Sequence, residues 1–419
     1  MSSDESGERR VVVTGMGVIS PYGRGLAPFR EALFAGRSAV GRIRRFSAAG
    51  LPVDFAAELD LAVLRGAFPD PIDRARDPCA LAAILAASDA LRDAGLAAPG
   101  EARDGAAVIV GSGFGSQLAT AGGYADFYER HRERAHPLTV VRSMHNAVSS
   151  SLSIELGLRG ENLTIAAACA SAASAMGLAF QRIRSGLDDI VVTGGSDVYV
   201  HEAILRAWIA LRVLARHEDP ARASRPFDRD HNGLVLGEGA AMLVFEALPR
   251  ARRRGAPILA EVIGFGATSD AQHLTAPSAA GQAAAIKAAL RSARLAPTDV
   301  GYINAHGTST PLNDRVETAA IKLAMGDVAG RTPVSSTKSL IGHTMGASGA
   351  LEAVATILGL QQGVIFGTYN YERADPECDL DVVPNETRDA AVAIALSSSF
   401  GFGGANAVLA FRRRNECHG

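Results

Sequence analysis

What this 419-residue chain lacks first is a charge imbalance: 42 Lys and Arg stand against 44 Asp and Glu, a formal net charge of −2. Such a balance gives no general attraction to nucleic acid or to an anionic membrane, so any docking surface for an acidic partner has to come from a local patch. Aromatic residues are few, at 5%. With Gly and Ala abundant, that scarcity suits closely packed helices and tight loops more than an all-β sandwich. Cys79, Cys169, Cys378 and Cys417 lie far apart and form no CxxC pair, which speaks against a disulfide framework or a zinc site and fits a reducing cytoplasm. The opening MSSDESGERR has no apolar run and reads as a short disordered tail, neither a secretory signal nor an anchor.

Several signatures are missing as well. VVVTGMGVIS opens like a dinucleotide fingerprint, but Ser20 stands where the third Gly belongs, and no acidic residue ends a second strand about twenty positions on. No Tyr is followed four residues later by Lys, and neither GxxxxGK[ST] nor GxSxG occurs, which removes short-chain reductases, P-loop NTPases and α/β-hydrolases.

What is there is an alternation. β-branched strands at RRVVVTG, AAVIVGSG, IVVTGGSD, AAMLVFEAL, LAEVIGFG, VGYINAHG and AVAIALSSS are separated by helical patterns such as DPCALAAILAASDALRDAG and DRVETAAIKLAMG. This predicts an α/β fold with a mainly parallel sheet covered by helices. A faint repeat runs through it: LTIAAAC, then ASAASAMGLAF, then IVVTGGSD; and again TPVSSTKS, then GASGALEAVATI, then AVAIALSSS. Two packed copies of one unit account for the length, and for helices so bare of charge that they read as buried on every side. The RARRRGAPI segment is the natural joint, dividing the chain into halves at 10–250 and 258–412, with tails at 1–9 and 413–419.

Four motifs carry candidate chemistry. Cys169 sits at a predicted strand-to-helix junction, where free N–H groups and the helix dipole favour an anion and lower a thiol pKa; the residue alone reads equally as a buried structural cysteine. His306 follows a strand in NAHGTSTPLND, and His343, with Lys338 five residues before it, precedes the second small-residue helix in STKSLIGHTMGASGALE. Taken singly, each is a hydrogen-bonded core histidine or a site residue, and no second ligand at metal spacing stands beside either. SSSFGFGGAN brings Gly401, Gly403 and Gly404 after a strand, as a ligand-approaching loop or a simple turn.

Together, in this order and spacing, the four motifs resemble the β-ketoacyl-[acyl-carrier-protein] synthases, over about Val11 to Phe411. Two histidines, in HGTST and GHTMGA, place the resemblance with the elongating, synthase II-like type and not with thiolases or the initiating synthases. It implies the thiolase fold: a duplicated α/β unit in five layers with two mixed, largely parallel sheets. It also implies acyltransferase chemistry, with Cys169 as nucleophile, His306 and His343 holding a malonyl thioester oxygen during decarboxylation, Lys338 tuning them and Glu352 in support. Phe400 is expected to supply an oxyanion donor beside the Cys169 N–H, an interaction often worth about 3 kcal/mol, and to gate the acyl pocket. Phe114, Gly401 and Phe402 are expected at that pocket, the Phe114 ring limiting its depth, and Thr308 and Thr310 on the phosphopantetheine arm.

No cofactor or metal is expected, since the substrates ride on acyl carrier protein. Arg74, Arg76, Arg130, Arg132, Arg134 and Arg212 are candidates for docking that acidic partner. The sheet carrying IVVTGGSD is the expected dimer face, for a homodimer or for a heterodimer with a chain-length factor. Ala168 departs from the more frequent threonine before the nucleophile, which leaves the pathway, fatty acid or specialised polyketide and polyene, open. A non-catalytic length-determining subunit is the reading that Cys169 opposes.

Overall fold

The structure, a computed structural model, describes residues 8–70 and 75–414. Strands β1 (Val11–Ser20), β2 (Ala107–Gly111), β3 (Asn162–Ile165), β4 (Ile190–Asp197) and β5 (Gly239–Ala247) belong to the first half. Strands β6 (Ala260–Ser269), β7 (Tyr302–Asn304), β8 (Val334–Ser335), β9 (Ile394–Gly401) and β10 (Ala405–Arg413) belong to the second. The principal helices are α1 (Pro78–Asp93), α2 (Gln117–Tyr128), α3 (Ala147–Leu156), α4 (Ser171–Arg184) and α5 (Glu202–Leu211), followed by α6 (Ala279–Ala293), α7 (Pro311–Met325) and α8 (Ser348–Gln362).

The strands follow the order β8-β7-β9-β10-β6-β1-β5-β4-β2-β3, with Gly23–Arg24 pairing on the end of β1. Read outward from the centre, each half is the same: first strand, fifth, fourth, second, third. In both, the outer pairings are parallel and the inner ones antiparallel. The repeat visible in the sequence is therefore a repeat of topology. Two details differ from expectation. Parallel pairing does not predominate, because β5 and β10 return as antiparallel partners within each half. The two sheets are also joined edge to edge, through the short β1–β6 pairing of Val11, Val12 and Val13 with Val262, Glu261 and Ala260.

Alternation along the strands builds the layers. Val108, Val110, Val192, Met242 and Val244 face outward to Leu81, Ile84 and Leu91 of α1 and Leu152 of α3. Their neighbours Ile109, Val191, Leu243 and Phe245 face inward to Met176 and Phe180 of α4 and Leu351, Val354 and Ile357 of α8. On the far side, Ile303, Leu396 and Val408 meet Ile286 and Leu290 of α6 and Ile321 and Met325 of α7. A period of two puts successive side chains on opposite faces, so each sheet is covered twice and the stack has five layers with α4 and α8 in the middle. Caps set where the outer helices start: Asp77 accepts from Cys79 N at 2.8 Å ahead of Pro78, and Thr310 precedes Pro311.

Small residues set the spacing. A Cβ on Gly17 would lie 2.0 Å from Ala86 O of α1, and one on Gly111 would lie 2.3 Å from Ala172 N of α4. Glu8 and Arg9 are held, the Arg9 N–H donating to Arg184 O at 3.0 Å and Glu8 pairing with Arg184; residues 1–7 of the expected tail, Arg74 and Cys417 lie outside the described residues. Among the described residues no helix is long and apolar enough to cross a membrane.

Gly111→Ala drives a methyl group into the backbone of the helix that follows Cys169. Overpacking of this kind costs about 1–3 kcal/mol, so the unfolding free energy measured by urea titration is expected to fall by that amount relative to wild type, and acylation of Cys169 to fall with it.

Candidate active site

Cys169 lies between β3 and α4, 7% exposed. The turn that delivers it is strained: Ala168 is left-handed, at φ 48°, a conformation costing a non-glycine residue about 1–2 kcal/mol. Ser171 pins that turn, its Oγ accepting from Ala167 N at 2.9 Å and donating to Ala168 O at 2.6 Å. The loop after β9 then crosses directly over the sulfur. A Cβ on Gly401 would stand 2.8 Å from Ala167 O and 3.2 Å from Cys169 N, so only glycine permits the approach. The backbone N–H of Phe402 donates to the Cys169 sulfur. Burial pushes the thiol up to about 12, against the pull of the Lys338 cation and the Phe402 N–H. The lowered thiol read from the helix junction is thus overturned for the resting site, where desolvation outweighs the dipole.

His343 follows β8 and faces the same sulfur, its Nε2 3.1 Å from Sγ. Its Nδ1 accepts from Met345 N at 3.2 Å and meets Ser348 Oγ at 2.9 Å. A backbone N–H can only donate, so Nδ1 is unprotonated and the proton sits on Nε2. His306 follows β7. The Lys338 ammonium, also donor-only, lies 3.4 Å from His306 Nδ1 and donates to His306 O at 2.6 Å while pairing with the buried carboxylate of Glu352. The same reasoning leaves the proton of His306 on Nε2.

The two rings stand 5.2 Å apart at 83°. One nitrogen from each and the sulfur fall within 4.8 Å of one another, all buried. Burial, then Lys338, holds both imidazoles well below the usual histidine range. Both are therefore neutral, and each presents an N–H and not a lone pair.

A cavity of about 100 Å³ opens from this trio; its walls include Thr308, Thr310, Trp208 and the Phe400–Gly404 loop. The Thr308 and Thr310 hydroxyls face each other at 2.8 Å. The aromatic assignment at the loop needs correcting. Phe400 is the last ring inside β9, 5% exposed and edge-on to His306 at 6.0 Å. Phe402, 37% exposed, stacks on Trp208 at 6.0 Å and carries the N–H that reaches the sulfur; Gly403, at φ 80°, follows it. The N–H beside the sulfur and the more exposed ring of this loop are Phe402's. Phe114 lies off this cavity, stacked face to face on Tyr199.

Sequence reasoning missed the groups that hold the loops. Glu317 accepts from the N–H groups of His306 and Gly307, both at 2.7 Å, and burial pushes its carboxyl up to about 7. Asp197 accepts from Ser112 Oγ at 2.7 Å and from the N–H groups of Gly113, Phe114 and Gly346 at 3.0, 3.1 and 2.6 Å. Burial pushes Asp197 up to about 6. Two acidic residues in otherwise apolar strand-end and helix-face positions were the available signal, together with Ser348 one turn beyond His343. The arginines do not form one patch. Arg76 and Arg130 line one cleft with Arg65 and Arg142, while Arg212 lines another with Arg216. Arg76 pairs with Glu155, and Arg130 and Arg132 with Asp126; Arg134 is exposed.

The family model "Beta-ketoacyl synthase, N-terminal domain" matches residues 8–251, and its C-terminal counterpart matches 259–372. This chain belongs to the β-ketoacyl synthase family. The ketoacyl synthase is 39% identical to "3-oxoacyl-[acyl-carrier-protein] synthase 2" of Synechocystis sp., across 97% of this chain and 98% of that protein. Its fold superposes on the ishigamide ketosynthase/chain length factor with a TM-score of 0.90, at 36% identity over 97% of this chain and 100% of the other. A type II polyketide ketosynthase solved with its acyl carrier protein, bound to a hexaketide, gives a TM-score of 0.88 at 30% identity, over 97% and 100% of the two chains. The enzyme is an acyltransferase of the ketosynthase class, with the thiolase-like fold expected.

Two outcomes follow from the neutral imidazoles. Ser348→Ala frees one side of the His343 ring and is expected to slow decarboxylation of a malonyl thioester about 10-fold, with acylation of Cys169 unchanged. Because both imidazoles titrate below the ordinary histidine value while the Glu317 carboxyl is pushed up to about 7, any decline of the wild-type decarboxylation rate between about pH 8 and about 6.5 is expected to come from Glu317 and to disappear in Glu317→Gln; a decline that persists in Glu317→Gln would mean that a ring takes up its proton there.

Proposed function

We propose that the enzyme carries out a decarboxylative Claisen condensation between an acyl group held on Cys169 and malonyl-[acyl-carrier protein], yielding 3-oxoacyl-[acyl-carrier protein]. The observation that carries this reading is the buried trio itself: one sulfur with two Nε2–H donors aimed into the same small cavity.

In the first half-reaction the Cys169 sulfur attacks an acyl thioester, and the Cys169 and Phe402 N–H groups meet the oxygen that becomes negative. The new S–C bond replaces the one to the carrier's thiol, which leaves and takes the proton. Thr308 and Thr310 hydrogen-bond the phosphopantetheine arm that fills the cavity. In the second half-reaction the malonyl thioester oxygen lies between His306 and His343. Loss of CO₂ sends its electron pair into that carbonyl, and the two neutral N–H donors stabilise the enolate without surrendering a proton. The enolate carbon attacks acyl-Cys169, and the sulfur leaves. Lys338 and Glu352 keep the His306 ring in the donor tautomer. The condensation as written uses no metal or cofactor.

The partners follow from the surface. Acyl carrier protein is the substrate carrier, and Arg212, exposed and adjacent in sequence to Val213 of the cavity wall, is the docking residue, with Arg216 lining the same surface cleft. Tyr124, Phe127, Tyr128, Val140 and Ile154 are 61–75% exposed, and among the described residues β3 pairs on one edge only. So much uncovered apolar surface beside an open strand edge marks the face that a second subunit covers: a second copy, or a chain-length factor in a specialised polyketide or polyene system. Catalysis in the cytoplasm fits the free thiol. An ordinary fatty-acid role is the other pathway reading.

Mixing the protein with acyl-loaded carrier protein is expected to add the acyl mass to Cys169, and Cys169→Ala to abolish the adduct. His306→Ala is expected to keep the adduct and lose at least about 100-fold in 3-oxoacyl product. Failure to form an adduct with any chain tested would leave a length-determining subunit as the better reading. Arg212→Glu is expected to raise KM for carrier protein several-fold, more at low salt than at high, with kcat unchanged.

A further inference from the structure

Resting on the condensing reading above, we propose that His231 is a positioning residue for the condensation step: it clamps the segment 227–237, whose backbone sets the spacing of the two imidazole donors.

That segment runs from one donor loop to the other. At its start the Phe227 ring is fully buried beneath the turn after His306, where a Cβ on Gly307 would stand 3.1 Å from it. Further along, the Gly233 N–H donates to Ser309 O at 3.0 Å. Val235 O then accepts from the His343 N–H at 2.7 Å, and the Gly237 N–H donates to His343 O at 2.9 Å. One stretch of chain therefore backs the His306 turn at one end and carries His343 at the other. Cys169 and the Phe402 N–H ride on other elements, the turn into α4 and the loop after β9. A shift of the segment changes the 5.2 Å separation of the rings and leaves the nucleophile where it is.

His231 holds this segment in place. Its ring is buried, with Nδ1 3.1 Å from Asp314 Oδ2. A carboxylate oxygen only accepts, so Nδ1 carries the proton. The same Oδ2 accepts from the Phe227 N–H at 2.9 Å, so Asp314 pins both ends of one tight turn. The turn needs pinning. Phe227 is left-handed, at φ 63°, an outlier for a bulky residue that persists only where its surroundings over-determine it.

Asp314 lies in the first turn of α7 beside Asn313, whose amide donates to both Asp314 and Glu317 at 3.3 Å. Since Glu317 holds the His306 N–H, the clamp and the donor loop share one helix. On the other side of the ring Asp375 Oδ2 is 3.7 Å from Nε2, too far for a hydrogen bond. The Asp314 side carries the hold.

Two amides separate these sides. Asn places its NH₂ where Nδ1 stands and keeps the bond to Asp314, whereas Gln reaches toward Asp375 and loses it. With acyl and malonyl carrier protein, His231→Gln is expected to lower 3-oxoacyl formation about 30-fold and His231→Asn less than about 3-fold, a misplacement near 1 Å being worth about 100-fold. Acylation of Cys169, read by mass spectrometry, stays within about 2-fold of wild type in both. The deciding arm is a double-mutant cycle. On a His306→Ala background one donor remains and spacing no longer matters, so His231→Gln costs less than about 3-fold more. Additive losses, an equal loss of acylation, Asn no better than Gln, or Gln at the wild-type rate each overturns the proposal and spares the condensing reading; wild-type enzyme that forms no 3-oxoacyl product sinks both.

Discussion

The space between two sheet faces governs this molecule. Helices α4 and α8 lie there with β-structure on both sides, so neither has a solvent face and neither tolerates bulk where it meets its neighbours. A Cβ on Gly349 of α8 would come within 3.0 Å of Ala173 N in α4, and one on Gly177 within 2.2 Å of the Phe265 ring. That confinement keeps small residues where the two helices meet, leaving charge to Glu352 in α8 and to Arg182 and Arg184 in the last turn of α4, and it brings their N-terminal approaches level with each other. Cys169 enters α4 and His343 precedes α8 from there, which is why residues 174 positions apart in sequence share a hydrogen bond.

The duplicated topology assigns the other groups. The loops after the second and fourth strands of the C-terminal half carry His306 and Phe402; the matching loops of the N-terminal half carry Phe114 and Tyr199. Reactive groups thus gather at the carboxyl ends of equivalent strands, where loops meet in α/β structures. One half supplies the two imidazoles and the N–H beside the sulfur, the other the nucleophile and a stacked aromatic pair. Three of the loops keep a non-glycine residue in the left-handed region, Ala168 at φ 48°, Ser309 at 68° and Met345 at 49°. Strain gathers where side chains must be aimed, and buried carboxylates hold two of these loops in place.

Much of this was legible in the sequence, and the exceptions have physical causes. Cys169, His306, His343 and Lys338 stood out because four motifs occur together in the order and spacing of one family; taken singly, each also reads as a buried core residue. Phe400 and Phe402 were harder: FGFGG offers two rings two residues apart, and which one leaves the strand depends on where β9 stops pairing with β10, which no residue in the motif announces. Ser348, Glu317 and Asp197 look like ordinary polar positions until packing seals them from water. The arginines were least legible, since surface charges far apart in sequence gather or scatter only with the fold. The balance of parallel to antiparallel strands was hidden for a related reason: a buried strand reads the same in either direction.

The middle layer also bears on how such a chain arose. Its apolar filling comes in equal share from both halves, so a single unit released from its twin would expose a slab of bare hydrocarbon along α4 or α8. A lone ancestral copy would have been obliged to live as a symmetric pair, its first strands meeting as β1 and β6 do here, and the segment between β5 and β6 is the covalent joint that makes such a pair one polypeptide. Once joined, the twins were released from having to be identical, and a symmetric scaffold could hold a site with no symmetry of its own.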